Sequence, residues 1–422
     1  MVEQHGKTLV PQIRFAGFTD PWEQRKLGEF GSVAMCKRIY KEQTSEQGDV
    51  PFFKIGTFGA NPDAFISNEL FEDFKRIYPY PTPGTLLISA AGSIGRVVEY
   101  QGEKAYFQDS NIVWLEHDHR LNDAFLKPLY SRIEWGLEGS TIKRLYNKDL
   151  LSAEVTVPGS REQKEIGQFF AKLDTLITLH QRKYDKLCVL KKSMLDKMFP
   201  KGGSLYPEIR FAGFTDPWEQ RKLGELTEIK DSARIPNRLW REAGVPYIRA
   251  SDISQENLRG ALFIDEEDYA AYKAATGAPE KGDVLFNGGG EIGKAIINGN
   301  SSPIYVQGGA VLYARIAHSS LLDARYLVTA FVTQNVVNAI GVLSAGGTMK
   351  HFTLQPAKNL PIEVPNIAEQ RRIGAFFDRL DSLITLHQRK YCGVASWMLG
   401  VALVRLGSES DGAFGEMKHV LR

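Results

Sequence analysis

Residues 161–199 carry apolar or seam-compatible side chains at steps that alternate between four and three. This spacing is the heptad pattern of a helix that packs against another helix. A Pro-Gly-Ser sequence precedes the segment, and a proline with two glycines follows it, so we predict one long helix between them. The seam positions are Ile166, Phe170, Leu173, Ile177, His180, Tyr184, Leu187, Met194 and Met198.

A second segment repeats this pattern near the end of the chain. Its seam positions are Ile373, Phe377, Leu380, Ile384, His387 and Tyr391. Two such helices in one chain most simply pack on each other, so we predict an antiparallel coiled coil. His180 and His387 fall on the seam, where we interpret them as packed polar residues rather than metal ligands.

The segments before each helix have a different pattern. Short apolar runs that end in Gly or Pro turns predict strands at 85–88, 112–115, 283–286 and 310–313. Helical periodicity appears at 124–133 and 324–339. We therefore predict an α+β fold, with two α/β domains joined by the two long helices.

An internal repeat organises the chain. Residues 13–29 read IRFAGFTDPWEQRKLGE, and the same 17 letters return at 209–225. Residues 162–184 match 369–391 at 17 of 23 positions, whereas 30–161 and 226–368 differ almost everywhere. This pattern indicates a tandem duplication in which a shared scaffold carries two different binding surfaces. Ordinary drift after duplication is the alternative, but it explains poorly why the frame stayed constant.

Composition narrows the class of protein. The chain has 422 residues and a net charge of +2, which excludes a polybasic protein but not a basic stripe that binds nucleic acid. The N-terminal residues lack the apolar core of a signal peptide, and no apolar run reaches the roughly 18 residues of a membrane span. We expect a cytoplasmic protein with no membrane partner. Its three cysteines form no CxxC motif, so a zinc ribbon is not expected.

Motifs for chemistry are weak. Residues 288–295 read GGGEIGKA, which approaches a phosphate-binding loop but has Ala295 where Ser or Thr would hold Mg²⁺. We interpret this segment as a Gly-rich hairpin. The sequence His117-His119 surrounds Asp118 in a polar stretch that we interpret as a solvated loop rather than a metal site. We predict no catalytic residue and no metal ligand.

Charge is distributed unevenly. Residues 1–160 hold 18 basic and 21 acidic residues, and residues 204–365 hold 16 and 18. Residues 161–203 hold 10 basic and 5 acidic residues, a net charge of +5. The predicted first helix is thus basic, while both intervening segments are slightly acidic.

The repeated frame, with the helix sequence EQKEIGQFFAKLDTLITLHQRKY, resembles the specificity subunits of type I restriction-modification enzymes. This resemblance covers about residues 10 to 391. It implies that each divergent segment is a target recognition domain that reads one half of a split DNA target in the major groove. It also implies a non-catalytic chain whose helices separate the readers and dock two modification subunits.

The resemblance implies further partners and cofactors. The modification subunits would bind S-adenosylmethionine and methylate adenine, and restriction subunits would use ATP and Mg²⁺, so no cofactor is expected in this chain. The implied domains are an N-terminal target recognition domain (1–160), a spacer helix with linker (161–203), a C-terminal target recognition domain (204–365), a second spacer helix (366–400) and an atypical tail (401–422).

Candidate site residues follow from these domains. The candidates for DNA contact are a basic residue after the Gly-rich turn of each divergent segment, and the basic residues that lie beside a retained threonine. They are Arg96, Thr141, Lys143 and Arg144 in the first domain, and Lys294, Thr348, Lys350 and His351 in the second. The candidates for the spacer and docking helices are Phe169, Phe170, Leu173, Ile177, Phe376, Phe377, Leu380 and Ile384.

The chain departs from the family after Tyr391. The first helix continues with DKLCVLKKSMLDKMF, but the second continues with CGVASWMLGVALVRL, which has no charge from Cys392 to Val404. Two glycines weaken this helix, and it exposes Trp397, Met398 and Leu399 where a charged helix is expected. Three alternatives to the DNA-reading hypothesis stay open: a scaffold that joins subunits, an inactive recombination variant, and a single-chain nuclease or NTPase.

Overall fold

The computed structural model describes residues 10–11, 13–133, 135, 144–344 and 350–403, with only the backbone described for 391–403. The chain divides into two compact units. Unit 1 consists of residues 1–179 and 393–422, and unit 2 consists of residues 180–392. Each long helix therefore contributes residues to both units.

Unit 1 contains the following strands and helices. The strands are β1 (Glu23–Lys26), β2 (Gly31–Ala34), β3 (Val50–Phe53), β4 (Phe65–Ile66), β5 (Leu86–Ser89), β6 (Val97–Glu99), β7 (Tyr106–Phe107), β8 (Ile112–His117) and β9 (Glu154–Val157). The helices are α1 (Asn68–Ile77), α2 (Asp123–Tyr130), α3 (Asn147–Ser152) and α4 (Ser160–Lys197), of which α4 continues into unit 2.

The described strands of unit 1 form three sheets. Strand β1 pairs with β9 in an antiparallel ribbon, and a four-stranded antiparallel sheet has the order β2-β8-β5-β6. The third sheet has the order β4-β3-β7, in which β3 and β7 are parallel. The β1–β9 ribbon joins the two ends of the divergent segment.

Unit 2 contains the corresponding elements. The strands are β10 (Glu219–Lys222), β11 (Ile229–Asp231), β12 (Val245–Ile248), β13 (Phe263–Ile264), β14 (Val284–Asn287), β15 (Ala295–Ile297), β16 (Tyr305–Val306), β17 (Val311–Ala314) and β18 (Pro361–Val364). The helices are α5 (Leu223–Leu226), α6 (Ala250–Ser254), α7 (Glu266–Thr276), α8 (Ala324–Phe331), α9 (Gln334–Leu343), α10 (Leu354–Lys358) and α11 (Ile367–Leu403).

The sheets of unit 2 repeat those of unit 1. Their orders are β10-β18, β11-β17-β14-β15 and β13-β12-β16, again with one parallel pair, β12 with β16. The predicted strands lie in β5, β8, β14 and β17, and the α+β prediction is confirmed. Since the divergent segments share this topology, the duplication extends through regions where the sequences no longer match.

A buried ion pair fixes the start of each long helix. In unit 1 the Nε and Nη2 atoms of Arg14 each donate to a carboxylate oxygen of Glu162 at 2.7 Å, and the Glu162 side chain is 2% exposed. In unit 2 Arg210 makes the same two 2.7 Å hydrogen bonds to Glu369, which is fully buried. Two-point pairing of this kind is both strong and specific in geometry. The repeated frame and the helix are therefore held together within each unit.

The next residue of each helix is a buried glutamine that binds the backbone. Gln163 accepts a hydrogen bond from the amide of Asn122 at 3.0 Å and donates to two carbonyls, those of Arg120 and Pro158. Gln370 repeats this pattern with Asp323, Leu321 and Pro365. Because these partners belong to loops without other regular pairing, the glutamine satisfies backbone groups that burial would leave unpaired.

A glycine near the start of each helix permits close packing. A Cβ on Gly167 would lie 2.7 Å from backbone atoms at the start of α2, and a Cβ on Gly374 would lie 2.8 Å from the amide nitrogen of Tyr326 in α8. Real Cβ atoms do not approach backbone this closely. The identical Ile-Gly pair in the two helices therefore reflects a steric requirement.

Within the described residues, no single helix combines the length and apolar composition needed to cross a membrane. One pair, α8 with α9, reaches those values only when its two helices, bent by 72°, are counted together.

We predict that Gly374→Ala destabilises unit 2 by about 1–3 kcal/mol, because its methyl group collides with backbone that cannot rotate away. The matched control is Gly341→Ala in α9, where a Cβ meets no atom within 4 Å and the change should stabilise by up to about 1 kcal/mol. Urea unfolding followed by circular dichroism measures both. Equal effects of the two substitutions would contradict the steric explanation.

Candidate nucleic-acid interface

Two hairpin loops carry the first candidates for DNA contact. In unit 1 the amide of Ser89 donates to the carbonyl of Arg96 at 2.9 Å. In unit 2 the amide of Asn287 donates to the carbonyl of Lys294 at the same distance. The second loop joins antiparallel strands β14 and β15, so the prediction of a Gly-rich hairpin is confirmed. A strand rather than a helix follows it, unlike in a phosphate-binding loop.

Glycines at matching positions shape both loops. Gly92 and Gly95 have φ angles of +66° and +79°, and Gly290 and Gly293 have +68° and +82°. Few side chains adopt these angles, so the glycines preserve the backbone path while neighbouring residues change. The two units thus present different side chains on the same loop conformation.

A second segment runs beside each loop. The amide of Leu145 donates to the carbonyl of Ala90 at 2.8 Å, which places Arg144 next to the first loop. The amide of Phe352 donates to Gly288 at 2.8 Å, which places His351 next to the second. The structure therefore brings the segments of Arg96 and Arg144 together in unit 1, and those of Lys294 and His351 together in unit 2.

The contacts of these candidates differ between the units. The guanidinium of exposed Arg96 donates to the carbonyl of Gly59 at 3.2 Å, and that of Arg144 donates to the carbonyl of Ser110 at 3.1 Å. Lys294 instead forms a 2.7 Å ion pair with Glu256. Among the described residues, the partners of the two arginines are thus carbonyls without net charge, whereas the partner of Lys294 is a carboxylate.

The remaining candidates are placed as follows. Lys350 and His351 are exposed, whereas Thr141, Lys143 and Thr348 lie outside the described residues. Arg144 lines an open cleft of about 460 Å³. Its other lining residues are Met35, Ser110, Leu145, Tyr146, Asn147 and Lys148.

Sequence reasoning missed part of this surface. Arg38 donates to Asp109 at 2.9 Å, and Asp109 also accepts from Ser110, whose carbonyl binds Arg144. The repeat offers a weak signal for Arg38, because an Arg-Ile pair recurs at Arg234 after the corresponding strand β11. Arg234 is exposed, and Gly308 stands where unit 1 has Asp109.

The side chains from His117, the last residue of β8, to Arg120 contact neighbouring side chains. His117 lies 3.0 Å from Asp123, and Arg120 donates several hydrogen bonds to Asp118. These hydrogen bonds lower the pKa of Asp118 to about 2. Among the described residues, no group of three or more metal-ligating side chains is close enough to hold an ion.

The predicted helix residues pack within their own units. Phe169 lies edge-on to Phe15 with ring centres 5.6 Å apart, and Phe376 lies edge-on to Phe211 at 6.1 Å. Phe377 and Leu380 are buried in the core of unit 2, with Ile384 packed against it. In unit 1, Phe170, Leu173 and Ile177 are only partly buried.

The exposed apolar residues of the helices lie elsewhere. Leu176 and Leu179 are each 44% exposed, and their repeat counterparts Leu383 and Leu386 are 38% and 45% exposed. Heptad spacing missed them because they lie off the seam. Two exposed leucines at an i, i+3 spacing lie on one face of a helix, as a partner-binding surface requires.

Two contacts define how the helices pack inside unit 2. The Nδ1 atoms of His180 and His387 are 3.0 Å apart, and Lys191 binds Asp381 at 2.5 Å. As residue numbers rise in α4 they fall in α11, so the segments are antiparallel. The identical histidines meet each other, as the seam prediction requires.

Comparison with known proteins identifies the family to which this architecture belongs. A family model for the type I restriction modification DNA specificity domain matches the chain twice, at residues 19–188 and 215–394. The chain belongs to this family. The two matches begin at the repeated frame and end within the long helices, as do the two structural repeats of the specificity domain.

Individual relatives agree with this membership. A putative type I restriction enzyme specificity subunit from Haemophilus influenzae is 51% identical over 153 residues, which are 36% of this chain and 40% of that protein. The MjaVIII specificity subunit from Methanocaldococcus jannaschii is 20% identical over 77% of this chain and 75% of its own. The fold is similar to that of a crystallised S subunit from M. genitalium, with a TM-score of 0.59, 15% identity and coverage of 93% and 97% of the two chains.

The histidine contact makes helix packing in this specificity protein sensitive to pH. Burial lowers the pKa of His180, and so do the nearby charges of His387, Lys390 and Lys183. The unfolded state therefore binds more protons below the ordinary histidine pKa of about 6.5. The stability contributed by this contact is complete above that pKa and is lost as the pH falls below it.

We predict that the melting temperature of unit 2 falls between pH 7.5 and pH 5.5, and that His387→Gln reduces this fall. The matched control is His119→Gln, which changes an exposed histidine in unit 1 and should leave the dependence unchanged. Differential scanning calorimetry at both pH values measures the effect. The same pH dependence in wild type and His387→Gln would contradict a role for the histidine pair.

Proposed function

We propose that this chain is the DNA-reading subunit of a type I restriction-modification complex and performs no catalysis itself. Each unit would read one half of a bipartite duplex target. One observation carries this proposal: the same backbone frame presents Arg144 and Lys148 in unit 1 but His351 and Gln355 at the matching positions in unit 2. A constant frame with exchanged polar side chains suits recognition of two different base sequences.

The chemistry of the exchanged residues supports this proposal. Arginine and lysine bind phosphates and the acceptor atoms of guanine, whereas glutamine pairs with adenine and histidine offers a single donor or acceptor. The described hydrogen-bond partners of Arg96 and Arg144 are neutral carbonyls. DNA phosphates would compete well against such neutral partners.

The domain limits are part of the same proposal. Residues 1–160 and 204–365 form the readers, 161–203 and 366–400 form the spacer helices with the linker, and 401–422 form the tail. The helices would position the readers as an antiparallel coiled coil. The described partners of Arg96 and Arg144 are neutral carbonyls, which supports DNA contact over the alternative of a scaffold without it.

The proposed partners follow from the exposed helix leucines. Leu176 with Leu179 and Leu383 with Leu386 form two equivalent surfaces, which fits two copies of one modification subunit. Those subunits would carry S-adenosylmethionine, and restriction subunits would carry ATP and Mg²⁺. Such a complex acts on DNA in the cytoplasm, where we place this chain.

Exchange of one divergent segment tests the proposal. We predict that replacing residues 30–161 with the segment of another family member changes one half of the methylated motif. The measurement is methylome sequencing of cells that carry the chimera and its modification subunit. The reciprocal control replaces residues 226–368 and should change the other half. A change in both halves, or in neither, would contradict separate readers.

A single substitution tests the candidate interface. We predict that Arg144→Ala weakens binding of the assembled complex to its target by about 1–3 kcal/mol, roughly 5- to 150-fold, because a cation at the DNA surface is lost. The matched control is Arg76→Ala, since Arg76 is 74% exposed on α1 and pairs with Asp73. Fluorescence anisotropy across a salt series measures both. If Arg144→Ala binds as tightly as Arg76→Ala, Arg144 is not at the interface.

A further inference from the structure

Arg38 forms an ion pair that restricts its guanidinium and still leaves it exposed. Its Nε atom donates to Oδ2 of Asp109 at 2.9 Å. The Arg38 side chain is 59% exposed, whereas that of Asp109 is 14% exposed. Among the described residues, the Nη1 and Nη2 atoms of Arg38 have no hydrogen-bond partner. The carboxylate therefore holds the Nε atom and leaves the two terminal nitrogens available to a ligand.

The next residue, Ser110, connects this ion pair to Arg144. Ser110 Oγ lies 3.3 Å from Oδ2 of Asp109, and the Ser110 carbonyl accepts from Nη2 of Arg144 at 3.1 Å. Ser110 and Arg144 also line the open cleft of about 460 Å³ described above. Two guanidinium groups are thus held by one pair of adjacent residues.

Backbone hydrogen bonds attach this pair of residues to the candidate interface. The amide of Ala90, in the Gly-rich loop of unit 1, donates to the carbonyl of Asn111 at 2.7 Å. The carbonyl of Ala90 accepts from the amide of Leu145 at 2.8 Å. The turn at residues 109–111 therefore lies beside the Gly-rich loop and the segment of Arg144, and it brings Arg38 to the same surface.

Ser110 adopts a backbone conformation that favours glycine. Its φ angle is +59°, and the matching residue of unit 2, Gly309, has a φ angle of +75°. A glycine would adopt this turn at lower cost, but it would offer no hydroxyl to Asp109. Unit 1 thus has the less favourable residue at the position where its side chain orients the carboxylate.

Unit 2 has the arginine but not the carboxylate. Arg234 follows β11 at the position that Arg38 occupies in unit 1, and it is exposed. Gly308 stands at the position of Asp109, and a Cβ atom there would collide with the carbonyl oxygen of Ser232. Since no side chain fits at this position, unit 2 cannot hold Arg234 in the same way. The Arg38–Asp109 pair belongs to one unit and not to the shared frame.

We propose that Arg38 is a specificity-determining residue of unit 1 that reads a guanine in the major groove, and that Asp109 is its positioning residue. Guanine presents O6 and N7 as two adjacent acceptors, which match the two terminal nitrogens of an arginine. A guanidinium that is already held loses less freedom on binding, and a two-point contact has one correct orientation. This inference rests on the proposed function and names the base chemistry of one half-site.

The carboxylate favours a base contact over a phosphate contact. Attraction to a phosphate depends mainly on positive charge. Asp109 offsets the charge of Arg38 and would therefore weaken such a contact. Reading a base depends on the direction of the donors, which the 2.9 Å hydrogen bond to Asp109 restricts. The cost in charge is thus offset by a gain in orientation only if Arg38 reads a base.

Binding of singly substituted duplexes tests the inference. The complex of the full chain with its modification subunit is titrated by fluorescence anisotropy with its target and with duplexes that change one base pair at a time. We expect wild type to prefer one G·C pair in the half-site of unit 1 by about 5- to 150-fold, and Arg38→Ala to lose that preference alone. Arg76→Ala, which removes an exposed arginine paired with Asp73, should discriminate as wild type.

Asp109→Asn separates orientation from charge. The substitution removes a negative charge beside the DNA, so affinity for duplexes changed at the guanine should rise. Discrimination at that guanine should fall by about threefold, because a neutral acceptor holds Arg38 less firmly. Unchanged discrimination in Asp109→Asn would overturn the positioning role, and a merely structural defect would instead lower all affinities together.

Other outcomes would overturn the inference for Arg38. If Arg38→Ala weakens every duplex equally and reduces the salt slope by about one, Arg38 contacts a phosphate. Unchanged binding, or a lost preference for an A·T pair, would also refute the guanine contact while leaving the proposed function intact. If the wild-type complex prefers no base pair at any position, the proposed function fails and this inference fails with it.

Discussion

The buried pairs Arg14–Glu162 and Arg210–Glu369 hold each divergent segment by its two ends. Each pair joins the repeated frame to the start of a long helix. The adjacent β1–β9 or β10–β18 ribbon also connects the two ends of the divergent segment, through backbone hydrogen bonds. A buried carboxylate that lost its arginine would be strongly destabilising, so neither partner can change alone. With its ends fixed in this way, the intervening segment can change its surface without losing its position.

This constraint explains which residues stayed identical. The repeated letters include both arginines and both glutamates of the pairs, the backbone-binding glutamines and the glycines that let each helix approach its neighbour. Inside the divergent segments, the retained residues include Gly95 and Gly293, which both have a positive φ. The remaining positions need only keep the alternation of buried and exposed residues, which many sequences satisfy.

Much of the fold, but less of the site, could be predicted from sequence. Heptad spacing and short apolar runs are local patterns, so they suffice to predict the long helices and strands β5, β8, β14 and β17. The parallel pairing of β3 with β7 joins segments about 50 residues apart, which local patterns do not specify. Likewise, the partner of Lys294 is Glu256, 38 residues away, and no spacing rule indicates that this lysine binds a carboxylate while Arg96 donates to the carbonyl of Gly59.

The two buried Arg–Glu pairs are also interchangeable in principle, and this has an evolutionary consequence. Arg14 and Arg210 lie in identical stretches of 17 residues and hold their glutamates with the same pairs of 2.7 Å hydrogen bonds. A genetic crossover within these stretches would replace one arginine by its equivalent and leave the Arg–Glu pair intact. Such an exchange would transfer a whole divergent segment, whose sequence already folds into a complete recognition surface. Inheritance by recombination could then change what the protein recognises in one step, without a series of destabilised intermediates.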